Sequence, residues 1–273
     1  MRSLINLRPG KGLLVALGVL PFVALFAAYL FASNARLAAN AHDKLLPAMA
    51  NIGAAVARFA LEPSARTGEV LLWVDTGASL RRLGIGVALS ALLGLVCGVL
   101  MGALPLVGAG MSPFMACLSL IPPLAVLPIL FIVFGLGELS KVMLIVIGIT
   151  PVIARDIAQR VREIPRELIV KAQTLGASTW QVILRVVLPL ALPRLLSAVR
   201  LALGAAWLFL IAAEAIAAES GLGYRIFLVR RYLAMDVILP YVVWITLLAA
   251  ATDVLLAQAS RRFFRWSTLG QLG

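Results

Sequence analysis

Apolar runs close to the length that crosses a bilayer recur along the whole chain, at 13–31, 83–104, 113–135, 139–153, 195–218 and 237–257. A helix needs about twenty such residues to span the hydrocarbon core, and with no water there its backbone polar groups must be satisfied internally. Hydrophobic residues make up 62% of the sequence and charged ones 13%, which excludes a soluble globular domain. The chain therefore reads as all-α, a polytopic membrane protein of about six transmembrane helices in a single domain over 1–273. The net charge of +12 would suit nucleic acid, but the Lys and Arg residues lie beside apolar runs, where they anchor helices to anionic inner-leaflet lipid. No nucleic-acid role follows. Cys97 and Cys117 fall inside predicted spans, His42 reads as a surface residue of a polar loop, and no Cys/His spacing suits a metal.

Arg2, Arg8 and Lys11 precede the first run, which is long for a signal peptide and is followed by no clean cleavage site. It is read as a retained helix with a cytoplasmic N-terminus. Residues 34–79 form a periplasmic segment in which Leu45, Leu46, Met49, Ile52, Val56 and Phe59 fall near helical spacing. An amphipathic helix at the interface and a plain polar loop both fit that pattern. Arg36, Lys44, Arg58, Arg66, Arg81 and Arg82 put positive charge on this outer side, with Asp43, Glu62, Glu69 and Asp75 interspersed.

The second run carries Gly86, Ser90, Gly94, Gly98 and Gly102 at every fourth position, a ridge that lets another helix approach closely and favours packing within the chain over a dimer seam. Pro122, Pro123 and Pro128 interrupt the third run. The carbonyls they free need protein or water as partners, so this run either lines a pathway or is a kinked packing helix. The fifth run contains Glu214, which is either a polar group on the pathway or a carboxylate fixing the outer turn from Gly221 to Tyr224. Arg261, Arg262 and Arg265 stop the sixth run on the inner side.

Between the fourth and fifth runs lies a charged island, 155–193, with Arg155, Arg160, Arg162, Arg166, Lys171 and Arg185 inside it and Arg194 and Arg200 just beyond. Positive loops stay cytoplasmic, and six spans with both termini inside place the island there. Pro165 suits a first helical position, Glu167 the first turn, and Ile164, Leu168, Ala172 and Leu175 recur at spacings of three and four, which predicts a short helix. Gly176 then stops it in the left-handed conformation. Ser178 restarts a helix as N-cap with Gln181 completing a capping box, Trp180, Ile183 and Val187 form its stripe, and Pro189 and Pro193 mark its end. A helix-turn-helix reader of DNA shares this outline, but spans on both sides argue against it.

Lys171-Ala-Gln-Thr-Leu-Gly176, followed after nine residues by Val186-Val-Leu-Pro189, resembles the EAA loop of ABC importer permeases, the segment that docks on the ATPase. Val170 stands where the motif has Glu, Lys171 where it has its first Ala, and Val186 where it has Ile. The missing Glu removes any ion pair it would make with an ATPase. Ala78-Ser-Leu-Arg81, Ile121-Pro-Pro-Leu124, Phe134-Gly-Leu-Gly137 with Lys141, Ala212-Ala-Glu214, Gly221-Leu-Gly-Tyr224 and the Arg-rich end with Trp266 extend the likeness to the taurine, sulfonate and nitrate class of binding-protein-dependent permeases. Within it, Leu45-Leu-Pro47, Gly68-Glu-Val-Leu-Leu-Trp73 and Phe227-Leu-Val-Arg-Arg-Tyr232 look most like permeases associated with urea carboxylase, implicated in urea or guanidine use.

The resemblance implies a type I ABC importer permease fold in a bacterial inner membrane and import of a small polar nitrogen- or sulfur-containing solute by alternating access. The implied partners are two ABC ATPase subunits, a periplasmic substrate-binding protein and a second permease chain in a homodimer, with membrane lipid around them. It also implies that Leu168, Ala172, Leu175, Gly176, Ala177 and Ser178 meet the ATPase. Pro122, Pro123, Pro128 and Glu214 are the pathway candidates. The residues themselves contain no Gly-x-x-x-x-Gly-Lys-Ser/Thr phosphate loop and no catalytic constellation, so no enzyme is expected; ATP and magnesium belong to the partner ATPase, and this chain binds no cofactor. The alternative is an ion-coupled secondary transporter, which keeps ionisable residues near the bilayer midplane; the deep spans here hold only Glu214 and Asp253.

Overall fold

A computed structural model describes residues 10–40, 43–65, 67–264 and 266. Arg2, Arg8, His42, Arg66 and Arg265 lie outside the described residues. The helices in chain order are α1 (Lys11–Ala39), α2 (Met49–Leu61), α3 (Leu71–Ala103), α4 (Pro105–Leu120), α5 (Pro123–Phe134), α6 (Glu138–Arg162), α7 (Arg166–Thr174), α8 (Thr179–Val182), α9 (Leu188–Ala217), α10 (Leu222–Arg230) and α11 (Met235–Phe263), with a π-helical turn, Ile183–Val187, joining α8 to α9. Among the described residues, five stretches are long and apolar enough to cross a membrane, and α4 with α5 makes a sixth if the bent pair counts as one.

α6 is the central helix, packed between α3 and α9. The small-residue ridge of α3 faces it: a Cβ on Gly94 would stand 2.6 Å from Cγ2 of Ile153, one on Gly98 2.6 Å from Cβ of Ile157, and one on Gly102 2.5 Å from Cβ of Val161. Ile145, Ile149, Ile153 and Ile157 fill the resulting seam and are completely or almost completely buried. Dispersion contacts of this kind hold helices together where the surrounding lipid is as apolar as the seam. Arg82 lies beside Glu138 and Gly102 beside Val161, so α3 and α6 run parallel, with the bent α4–α5 pair carrying the chain back between them.

Several expected boundaries move, each for a physical reason. The fourth run does not end at 153; α6 continues through Arg155 and Arg160 to Arg162, because Ala154, Ile157, Ala158 and Val161 extend its buried face. The third run begins at Pro105 and is two helices whose axes differ by 95°. Consecutive Pro122 and Pro123 explain the corner: Ile121, held before a proline, takes an extended ψ of 123°, and Pro123 opens the next helix. α3 starts at Leu71, twelve residues before the expected span, and takes Asp75, Thr76, Ser79 and Arg82 into the bundle. Within the 34–79 segment the end of α1, α2 (Met49–Leu61) and the start of α3 are helical, and α2 packs on α11 and α3 with Ala55 buried.

Pro189 and Pro193 do not end a helix. In the π turn, Leu188 N–H donates to the carbonyl of Ile183, five residues back, and this widened turn admits Pro189 in place of an α-helical i−4 bond. The chain therefore passes from the charged island into α9 without a break.

Candidate coupling surface and the polar network at the opposite end

The island's short helix is α7, with Pro165 as its N-cap rather than its first residue and Glu167 in its first turn. Its end is a Schellman motif: Ala177 N–H donates to the Ala172 carbonyl at 3.0 Å and Gly176 N–H to the Gln173 carbonyl at 2.9 Å, with Gly176 at φ +83°. Ser178 then caps α8 in a capping box, its N–H donating to Gln181 Oε1 at 2.8 Å while Gln181 N–H donates to Ser178 Oγ at 3.4 Å. Local hydrogen bonds thus close the corner between the two helices.

The predicted apolar stripe divides into two faces. Ile164 and Ala172 join Ile169 and Ala177 in packing on the chain's own core, whereas Leu175 points away from it, 88% exposed, and Leu168, 42% exposed, lines a cleft with Val161, Leu190 and Ala191. Val170, Trp180 and Leu184 add to the outward apolar surface. Gly176 and Ser178 are exposed on the same segment. Ala172 and Ala177 are thus half-buried seats for the loop, and Leu175 is its free apolar contact. Exposed apolar side chains beside basic ones make this corner the candidate interaction surface.

The opposite end of the bundle carries a buried polar network that reading the sequence missed. Asp75, completely buried, accepts from Gly221 N–H at 2.9 Å, Arg225 Nε at 2.8 Å and Tyr241 Oη at 3.2 Å. Glu214, also completely buried, accepts from Ser79 Oγ at 2.8 Å, Gly223 N–H at 2.9 Å and Arg82 Nη1 at 2.7 Å. Arg82 also donates to the Ser220 carbonyl at 2.7 Å and, through Nε and Nη2, to both oxygens of Glu138 at 2.7 Å. Leu222 N–H donates to Ser79 Oγ at 2.9 Å and Trp244 Nε1 to Thr76 Oγ1 at 2.9 Å. The N-terminal part of α3, the start of α6, the α9–α10 turn and α11 are thereby joined by charge-assisted bonds.

Gly221, at φ +131°, brings that turn against the carboxylate: a Cβ there would lie 2.5 Å from Cδ of Glu214. Asp75, Ser79 and Arg82 fall at spacings of four and three, one face of a helix, which was the available signal for the network; their partners lie more than fifty residues away and left none. In the loop after α1, Asp43 accepts from the Arg36 side chain and from Leu45 N–H at 2.9 Å, which hold its carboxyl below the ordinary carboxylate range.

The pathway candidates are not gathered in one place. Pro122 and Pro128 are exposed and Pro123 half-buried on the α4–α5 pair, while Glu214 is enclosed with Ser79, Arg82 and Gly223. Among the described residues, no group of three or more His, Cys, Asp or Glu side chains is placed to hold a metal ion.

Residues 90–265 match the family described as the binding-protein-dependent transport system inner membrane component. The chain is 37% identical over 198 residues to the taurine transport system permease protein TauC of Escherichia coli, covering 72% of each chain. It is 31% identical over 188 residues to the putative aliphatic sulfonates transport permease protein SsuC of Bacillus subtilis, covering 69% of this chain and 68% of that one. It is also 35% identical over 149 residues to the nitrate import permease protein NrtB of Synechococcus elongatus, covering 54% and 53%. Among solved structures, an inward-facing MetNI methionine ABC transporter superimposes with a TM-score of 0.60 at 24% identity, over 71% of this chain and 94% of that one. With an all-helical bundle of the same fold and a family match over most of its length, this chain belongs to the binding-protein-dependent transport system inner membrane components, as a multi-pass ABC importer permease subunit and not an enzyme.

Proposed function

We propose that the chain forms one half of a homodimeric permease that imports a small polar solute of the taurine, sulfonate and nitrate class, driven by two ATPase subunits docked on the α7–α8 corner. The solute class rests on one observation, the identity to the taurine permease that runs through 72% of the chain. The docking surface rests on the exposed Leu175, held out by the Schellman turn. ATP and magnesium are bound by the ATPase and not by this chain. In this reading the charged island is cytoplasmic, as its Arg and Lys content favours, and both termini lie on the same side. A periplasmic binding protein then delivers solute to the end that carries the polar network. The solute passes by alternating access, and the Pro122–Pro123 corner is the candidate for backbone exposed to the pathway.

The experiment is uptake into vesicles holding the permease, its ATPase and its binding protein, with taurine, an alkanesulfonate, nitrate, urea and guanidine as competing solutes. ATP-dependent uptake of one of the first three, displaced by its own class, is expected. Uptake of urea or guanidine alone would move the chain to the urea-carboxylase-associated subgroup that Leu45-Leu-Pro47 and Phe227-Leu-Val-Arg-Arg-Tyr232 resemble. Uptake that follows an imposed ion gradient without ATP would overturn the reading.

A further inference from the structure

Two arginines of α6 lack the carboxylate that a third one has. Arg160 pairs with Glu163 at 3.1 Å, whereas Arg155 and Arg162, seven residues apart on another face of the helix, form no ion pair among the described residues. Each donates instead to a serine of α4, Arg155 Nη1 to Ser119 Oγ at 2.6 Å and Arg162 Nη2 to Ser112 Oγ at 2.9 Å. Arg162 Nη2 also reaches the Met101 carbonyl at 3.4 Å, so its Nε and Nη1 are left without a partner among the described residues. Arg162 lines a cleft of about 490 Å³ together with Gly102, Pro105, Gly108, Ala109 and Ser112. Gly108 shapes it by bringing α4 against the end of α3, where a Cβ would lie 2.5 Å from the Met101 carbonyl. Met101, Met115 and Ala158 pack together as a small core of their own beside it.

We propose that this α4–α6 cleft binds the headgroup of an anionic inner-leaflet phospholipid, with the phosphate on the free N–H groups of Arg162 and with Arg155 adding positive field from two turns further back. Depth favours a headgroup. At 1.5 Å per residue Arg162 stands about 36 Å along α6 from Glu138, which belongs to the polar network at the other end, and the hydrocarbon core is about 30 Å thick. The cleft therefore lies just past the apolar layer, where lipid phosphates are. A guanidinium presents its N–H groups in a planar fork that fits phosphate oxygens, and basic pockets between spans at the cytoplasmic face suit such headgroups. The flanks favour lipid over an aqueous passage: Leu106 is 90% exposed and Phe114 58% exposed on α4, apolar surface for acyl chains where a water-filled route would present polar groups. The leaflet rests on the cytoplasmic placement of the charged island; the cleft and its free guanidinium do not.

The test uses the permease with its ATPase, stripped of lipid in detergent and titrated with phosphatidylglycerol, phosphatidylcholine or inorganic phosphate, bound lipid being counted by native mass spectrometry. Phosphatidylglycerol should bind in preference to phosphatidylcholine, and inorganic phosphate at equal concentration should not displace it. Arg162→Gln should weaken phosphatidylglycerol binding about fivefold, as expected for one basic residue lost near an anionic headgroup. Ala109→Leu, which fills the cleft and keeps the charge, should weaken it as well. Arg194→Gln, which removes an exposed basic residue outside the cleft at the same end of the bundle, should leave it unchanged. All three side chains are exposed, so each variant should keep the parent melting temperature in lipid-free detergent. Unchanged binding in both Arg162→Gln and Ala109→Leu overturns the proposal. So does an equal loss in Arg194→Gln, which would mean general surface charge, or displacement by inorganic phosphate, which would mean a site for a water-soluble anion. Binding is read here without transport, so a site that holds while ATP-dependent uptake fails counts against the importer reading alone.

Discussion

Each end of the bundle turns on a glycine at positive φ, and the two are held there by opposite means. Gly176, between α7 and α8, has open space where its Cβ would be and is fixed by the hydrogen bonds of its own neighbours. Gly221, between α9 and α10, has the Glu214 carboxylate 2.5 Å from that point, and its N–H bonds Asp75, 146 residues away in sequence. The first corner is a local structure that presents apolar side chains outward. The second is closed by long-range charged bonds among buried groups. If the α7–α8 corner is the docking surface proposed above, it must form correctly before its partner arrives, and short-range bonds accomplish that. The second corner must register four helices against one another, which only bonds between distant segments can do.

Substitutions sharpen the contrast. Arg82→Met should have the largest effect, since it leaves Glu214 charged and enclosed without its cation; about 3–5 kcal/mol is expected for a broken buried pair, read as loss of folded protein from detergent extracts. Wild-type yield would show that the network contributes little. Gly221→Ala comes next, because it adds both backbone strain and overlap with the Glu214 carboxylate. It should lower the melting temperature far more than Gly176→Ala, for which only the left-handed conformation costs about 1 kcal/mol. Equal shifts for the two glycines would erase the distinction drawn between the corners.

Leu175→Asp should leave thermal stability at the wild-type value, since that side chain touches little of its own chain, yet abolish copurification of the ATPase by placing an unpaired charge in the docking face. Ala172→Asp should lower both, because Ala172 also seats the loop on the core. Retention of the ATPase by Leu175→Asp would mean that the outward face is not the contact. Ser178→Ala should give the smallest effect, about 1 kcal/mol or less from the lost cap, seen as a slight fall in ATPase affinity with unchanged insertion.

Glu214 shows how a single residue divides between the two sources of information. Its place near the outer turn followed from spacing alone, and the bond from Gly223 N–H is what a turn-fixing carboxylate makes. Its partnership with Arg82 and Ser79 had no counterpart in the pattern, because those residues were assigned to an outer segment and to charge scattered along it. The same holds for the helix that continues past Ile153: its charges suggested a loop, and only the facing glycines of α3 explain why Ala154, Ile157, Ala158 and Val161 stay inside.

By itself the sequence determined the membrane-spanning class, the small-residue ridge, the position of the basic island and both of its caps. These depend on composition, helical periodicity and hydrogen bonds reaching at most five residues, all of which are local and so are written in order along the chain. Tertiary structure alone decided which apolar side chains of the island face outward, where the third run bends back, and that Asp75, Arg82, Glu138, Glu214 and Arg225 form one network. Burial and ion pairing depend on which distant segments are brought together, and a charge in isolation reads the same whether its counter-ion is water or a residue 132 positions away.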